Sequence, residues 1–327
     1  MTTYQIRHIT EYNYEEPASL SYNEAHLLPR SMTTFLYEQQ VIDAHIEIEP
    51  GWNDYRERLD FYGNRVLYYT IRQAHEQTRI TANCQVKISP SVLSDIQHAS
   101  TQYVSTQQEY PAAGWIRQKA DTTEPWEEVA VQLHSKDALL SVQAFNIRQF
   151  CLPSPFIPHL KELQKLASVY FVPQRPVVEA AQSLMEGIFT DFDFVPEATD
   201  IATPLSDVLR HRQGVCQDFA HLMVGALRTQ GLAARYMSGY IETVPPPGEV
   251  KLEGADASHA WCSLYVPSLG WIDFDPTNNL VPTDQHIILG WGRDFGDVSP
   301  VKGVFYGGSQ QNLNVSVDMK RIDMEAT

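Results

Sequence analysis

The hydrophobic period of this chain changes along its length, and that change restricts the folds open to it. From Arg79 to Ser89, Ile80, Ala82, Cys84, Val86 and Ile88 alternate with Thr81, Asn83, Gln85 and Lys87, the pattern of a strand with one face buried and the other wet. Ile42, Ala44, Ile46 and Ile48 repeat it before Pro50, and Leu67, Tyr69 and Ile71 repeat it after the turn-like Tyr62-Gly63-Asn64. Past Pro125 the spacing becomes helical: Leu160, Leu163, Ala167 and Tyr170 make one stripe, and Val177, Ala181, Leu184 and Ile188 another. The chain reads as an α+β protein, an antiparallel sandwich-like β unit followed by a helical subdomain. The polar, aperiodic run from Ser94 to Thr123 reads as the connection between them. The expected division is a β-rich domain over 1–120, a core over 121–285 and a C-terminal segment over 286–327. In that last segment Leu313, Val315, Val317 and Met319 alternate as a final strand of unassigned sheet.

Composition removes several function classes. At 327 residues and 43% hydrophobic, the chain can bury substantial cores. Twenty-four Lys and Arg against 40 Asp and Glu leave a formal charge of -16, the wrong sign for neutralising nucleic-acid phosphates or docking on an anionic membrane. The opening MTTYQIRHITEYNYEEP has no basic start followed by an apolar stretch, so no signal peptide is expected. No segment approaches the roughly 18 consecutive apolar residues of a membrane span. Four scattered cysteines, Cys84, Cys151, Cys216 and Cys262, do not make a disulfide framework, and the expected setting is a reduced cytoplasm.

The chemistry concentrates after a proline-started helix, entered at Thr203-Pro204 and stopped at Arg212-Gln213-Gly214. Gly214-Val215-Cys216 precedes a segment in which Phe219, Leu222, Met223, Ala226 and Leu227 share a helical face before Gly231. Cys216 thus belongs at a helix N-terminus, where amide N–H groups and the dipole favour a thiolate and offer donors to an oxyanion. Downstream, Ala260, Cys262, Leu264 and Val266 alternate with His259, Trp261, Ser263 and Tyr265, so His259 points away from the apolar face. A second strand, Trp271 to Asp275, closes a hairpin and ends at Pro276. A five-residue loop pairing Tyr265 with Trp271 puts Asp273 and Asp275 on the face of His259. Parity does not separate the two aspartates.

The runs GVCQDFAHLMVGALRTQGLAARYMSGY, SHAWCSLYV and GWIDFDPTNN, in this order, strongly resemble the core of bacterial transglutaminase-like proteins, relatives of papain-type cysteine enzymes. RHITEYNYEEPASLSYNEAHLLPR and the Phe61-Tyr62-Gly63-Asn64 turn resemble the β-rich N-terminal domain that accompanies this core, and GRDFGDVSPVKGVFYGG resembles its C-terminal segment. The resemblance implies a papain-like core in which a helix carrying Cys216 packs on an antiparallel sheet carrying His259 and Asp275. Matched by position, Cys216 is the nucleophile, His259 the base, and Asp275, of the two aspartates, the orienting acid. The implied activity is thiol-dependent acyl transfer or hydrolysis at amide, isopeptide or γ-glutamyl bonds of a peptide or protein, with water or an amine as acceptor. The opposing reading is a binding or scaffold protein on the same fold, against which the intact trio counts.

Plainer roles account for the neighbours. Cys84 and Cys262 fall on apolar strand faces, and Cys151 has no evident partner. His221 lies about 140° around the helix from Cys216 and reads as a packed or surface histidine. Asp218 suits a first helical turn whatever the function. Trp261 in such a strand is more often core than contact, though on the face of His259 it is also a candidate wall of the acyl site that contacts substrate and excludes water. Arg293 and Asp294 fit surface ion pairing as well as they fit the family segment. No paired Cys-x-x-Cys or His-x-x-x-His starts a zinc site and no tight oxygen-rich loop offers a calcium site, so neither metal nor cofactor is expected.

Overall fold

The computed structural model describes residues 1–91, 120–135, 142–243, 256–307 and 311–322. Most of the Ser94–Thr123 connection and the Pro245–Gly248 turn lie outside the described residues. Among the described helices, none is long and apolar enough to cross a membrane.

The period-two region forms strands β1 (Thr2–Leu28), β2 (Met32–Thr33), β3 (Tyr37–Glu49), β4 (Asp54–Leu59), β5 (Arg65–Ile71) and β6 (His75–Pro90). They hydrogen-bond in the order β2-β3-β6-β1-β5-β4, one antiparallel sheet that curls on itself. The chain's last two strands, β13 (Val301–Gly307) and β14 (Gln311–Arg321), complete it on β1. The first half of β1 runs between β6 and β14 and its second half between β5 and β13, with a register shift between Asn13 and Ala18. The apolar face of β6 is buried throughout, Ile80 to Ile88. In β3 the alternation breaks: Val41 pairs with Val86 and Asp43 with Gln85, leaving Ile42 as a bulge residue. Ile42 is therefore 45% exposed while Gln39, before the bulge, points inward. In β14 only Val317 and Met319 are buried, and Leu313 and Val315 stay half exposed.

The core holds α1 (Trp126–His134), α2 (Val142–Arg148), α3 (Lys161–Ser168), α4 (Val177–Asp191), α5 (Leu205–His211) and α6 (Cys216–Thr229). Strands β9 (Ala234–Ile241), β10 (Ala257–Val266), β11 (Gly270–Phe274) and β12 (His286–Gly292) form an antiparallel sheet in the order β11-β10-β9-β12. Helix α6 is buried from Asp218 to Arg228, packed on β9 and β10 on one side and on α3, α4 and α5 on the other. Helix α5 begins one residue later than the sequence implies, with Pro204 as its cap, because the Thr203 hydroxyl bonds Asp200 instead. Arg212, in the left-handed region at φ 53°, ends it. Gln213 and Gly214 form the two-residue β8, paired parallel with β7 (Asp193–Phe194), and deliver the chain to Cys216.

β12 is an edge strand, and side-chain amides of the N-terminal sheet finish its ladder. Gln39 accepts from the Ile288 N–H at 2.8 Å and donates to the Ile288 carbonyl at 2.7 Å. Asn64 does the same at Trp291, at 3.1 and 2.8 Å. These contacts leave no bare edge at either position. Arg30 and Arg235 stack on Trp291 at 3.8 and 4.0 Å from the ring centre, and Arg235 also lies 4.2 Å from that of Trp271.

Candidate active site

The turn that presents Cys216 is built by its neighbours. Val215 is extended, and its N–H donates to the Asp218 carboxylate at 2.9 Å, which also accepts from the Thr199 hydroxyl at 2.6 Å. A Cβ on Gly214 would sit 2.8 Å from Asp218 Cβ and Oδ2, so only glycine permits this approach. Cys216 is the first residue of α6 and half-buried; the Asp218 N–H turns back to the Val215 carbonyl at 2.9 Å, while the first two amides of a helix have no intrahelical acceptor. Cys84, Cys151 and Cys262 are buried, and burial pushes the thiols of Cys84 and Cys151 up to about 12 and about 11 and raises that of Cys262 as well. None of the four cysteines is disulfide-bonded.

The hairpin has the expected register, Tyr265 opposite Trp271 and Cys262 opposite Phe274, which carries Asp275 to the level of Trp261. There His259 Nε2–H donates to Asp275 Oδ2 at 2.7 Å, and the Cys216 sulfur lies close enough to favour a proton on the ring. Asp275 Oδ2 also accepts from His286 Nε2 at 3.0 Å and Asn278 Nδ2 at 2.8 Å, and its Oδ1 accepts from the Thr277 and Asn278 amides at 3.0 and 3.3 Å. Burial alone would raise this carboxyl, but the charge of His259 and the donors of His259 and His286 hold it well below the usual carboxylate range. Burial likewise opposes a proton on His259, yet the Asp275 carboxylate and the Cys216 sulfur outweigh it and bring the imidazole up to about 10. The raised imidazole and lowered carboxyl form an ion pair, and the pair stands beside a sulfur at a helix N-terminus.

The structure thus gathers Cys216, His259 and Asp275, and sends Asp273 elsewhere. Asp273 accepts from the buried Tyr37 hydroxyl at 3.1 Å, beside Arg235. Trp261 takes the core role and not that of a substrate-contacting wall, since it has no exposed surface to offer a substrate. It backs the site, its ring nearly parallel to that of His259 at 6.0 Å and edge-on to that of His286 at 5.1 Å, because β10 carries it under the neighbouring strands. His221 is a packed histidine, against Phe156 and accepting the Phe295 N–H at 3.1 Å. Arg293 bonds Asp297 and the Tyr62 hydroxyl, tying the N-terminal turn to the core, while buried Asp294 accepts the Phe156 and Gly296 amides. His286 has no motif around it in the sequence; the apolar Ile-Ile-Leu run that follows it marks a strand and nothing more specific.

His259, Asp275 and His286 are ligand types whose ligand atoms lie within 4.8 Å of one another. In the structure they bond to one another: both imidazoles and the Asn278 amide reach the same Asp275 oxygen at hydrogen-bond distance.

Residues 4–87 match the bacterial transglutaminase-like N-terminal region, and residues 165–276 match the transglutaminase-like superfamily. An uncharacterized protein of Mycobacterium tuberculosis is 32% identical over 328 residues, spanning 99% of this chain and 94% of that protein. The chain belongs to the bacterial transglutaminase-like family. This transglutaminase-like chain is also 28% identical over 109 residues to a protein-glutamine γ-glutamyltransferase of Pseudomonas aeruginosa, across 31% of this chain and 16% of that enzyme. A Cytophaga hutchinsonii crystal structure, provisionally named a cysteine protease, superposes with a TM-score of 0.69 at 20% identity, over 100% of this chain and 92% of that one. That likeness is one of fold.

Proposed function

We propose that this protein is a cysteine acyltransferase or hydrolase acting on amide, isopeptide or γ-glutamyl bonds of a peptide or protein, with Cys216 as nucleophile, His259 as acid and base, and Asp275 as the group that orients the imidazole. The observation that carries the reading is the hydrogen bond from His259 to the buried Asp275 carboxylate, with the imidazole close to the Cys216 sulfur at the head of α6.

In the reaction, Cys216 Sγ attacks the carbonyl carbon and its proton resides on His259. The developing oxyanion meets the free N–H of the first α6 turn. The C–N bond breaks as His259 delivers that proton to the leaving amine or ammonia, leaving a thioester. Water or an amine then adds while His259 takes its proton, and the C–S bond breaks to return the thiol. The γ-glutamyltransferase named among the relatives supports an amine as acceptor, and a net charge of -16 favours cationic amines. Four cysteines without a disulfide suit a reducing, cytoplasmic setting.

The decisive experiment is the rate of Cys216 alkylation by iodoacetamide across pH, read by peptide mass spectrometry in wild type and His259→Ala, with the buried cysteines as internal controls. Selective labelling of Cys216 near neutral pH, slowed in the variant, is expected. Labelling no faster than the controls and equal in both proteins sinks the proposal. A glutamine peptide with a fluorescent primary amine then separates the two branches: incorporation marks a transferase, ammonia release alone a hydrolase.

A further inference from the structure

We propose that His286 is a positioning residue of this site, acting through the carboxylate it shares with His259; the inference rests on the catalytic reading above. His286 opens β12, pairs with Ile241 of β9 and is fully buried. Its Nε2–H reaches the same Asp275 oxygen that receives the His259 proton, 3.0 Å against 2.7 Å. Asp275 Oδ1 is fixed by the amides of the turn that follows it, so the direction of Oδ2 is set by the donors flanking it. One of these, Asn278, is an exposed residue, and the other, His286, comes from inside the fold.

The tautomer follows from the partners. His286 Nδ1 is buried with no hydrogen-bond partner, a tolerable position for a bare lone pair and a costly one for a charged N–H. His286 therefore stands neutral with its proton on Nε2, a state that its burial also favours. The groups facing it are the Asp275 and Asp273 carboxylates, the His259 imidazole and the Trp261 indole. A neutral donor steadies the carboxylate without placing a second positive charge 5.7 Å from the His259 ring, where it would compete for the same counter-ion. The anchoring continues outward: two residues along β12, Gln39 holds both backbone groups of Ile288. The N-terminal sheet thereby fixes the strand that fixes Asp275.

The test is the pH profile of Cys216 alkylation in wild type, His259→Ala, His286→Met, His286→Gln and His286→Asn, with unfolding midpoints as the fold control. Methionine fills the site without a donor; glutamine puts an amide N–H where Nε2 stood; asparagine is too short to reach Asp275. The expected result is a rate near neutral pH about tenfold lower in His286→Met, the loss of one charge-assisted hydrogen bond. The His259-dependent limb of its profile should also move to lower pH, and glutamine should restore the rate to within about twofold. Should the methionine variant fail to fold, the Gln and Asn variants decide, glutamine labelling like wild type and asparagine slowly. A wild-type profile in His286→Met, or a glutamine variant no better than its donorless counterpart, overturns the proposal. If His259→Ala also labels like wild type, the catalytic reading itself has failed; if it labels slowly, only the role of His286 has.

Discussion

Asp275 is a fully buried carboxylate that stays ionised because N–H donors surround it, and its partner His259 holds a proton for the reciprocal reason. The pair makes stability depend on pH from both sides. His259 has its folded pKa raised to about 10 from an ordinary 6.5, so its contribution is complete below about pH 6.5 and fades as pH rises through 10. Asp275 is lowered, so its contribution is present above the usual carboxylate range and fades in acid. His259→Gln should therefore cost on the order of 3 kcal/mol at pH 6 in urea unfolding, with a gap to wild type that narrows as pH rises from 6.5 to about 10. A gap constant with pH would show that the imidazole is not charged in the fold. His221 titrates with the opposite sign. Burial brings it down to about 3, so its contribution is present above about pH 6.5 and lost as pH falls toward 3. His221→Gln keeps an acceptor for the Phe295 N–H, and it should flatten the fall of unfolding free energy between pH 6.5 and 4 by up to one proton's slope.

Among the elements, β9 has the least room. Gly239 stands between His259 on β10 and Ile288 on β12, and a Cβ there would meet the Ile287 carbonyl oxygen at 2.0 Å and the Trp261 ring at 2.6 Å. Backbone cannot yield as a side chain does, so Gly239→Ala must push β12, and His286 with it, away from β9 and displace the Trp261 ring of β10. The expected outcome is a loss of about 3 kcal/mol in chemical unfolding, together with loss of the selective alkylation of Cys216; a variant with wild-type stability would contradict this packing. What was legible at this scale was local. The hairpin register follows from alternation and loop length, and the head of α6 from Gly214, Cys216 and the stripe behind them. The choice between Asp273 and Asp275 was not, since both share a face, and it is decided by Tyr37, which arrives from another sheet 236 residues away in sequence to occupy Asp273. His286 was hidden for the same reason: its meaning comes from β12 pairing with β9, a contact no local pattern announces.

The whole molecule ties its two sheets together through the chain's ends as well as its interface. Alternation announced β14 but not its partner, because a strand half exposed and half buried carries no label for the sheet it joins; β13 and β14 return to β1, so the N-terminal sheet contains both ends of the described chain. At the interface, Gln39 and Asn64 replace a neighbouring strand along the edge of β12. Shortening both side chains to alanine would leave the N–H and C=O groups of Ile288 and Trp291 without those partners inside the protein, each at a cost of about 1–3 kcal/mol where water does not reach. Wild type should unfold in one cooperative transition by both intrinsic tryptophan fluorescence and far-ultraviolet dichroism, since Trp271 and Trp291 report the interface and the strands report both sheets. In Gln39→Ala with Asn64→Ala the fluorescence transition should move to lower denaturant by several kcal/mol and separate from the dichroism transition. Cys216 labelling should weaken across the denaturant range between the two transitions, because β12 and His286 loosen before the sheets melt. Coincident transitions at the wild-type midpoint would mean that the two sheets hold together without these amides.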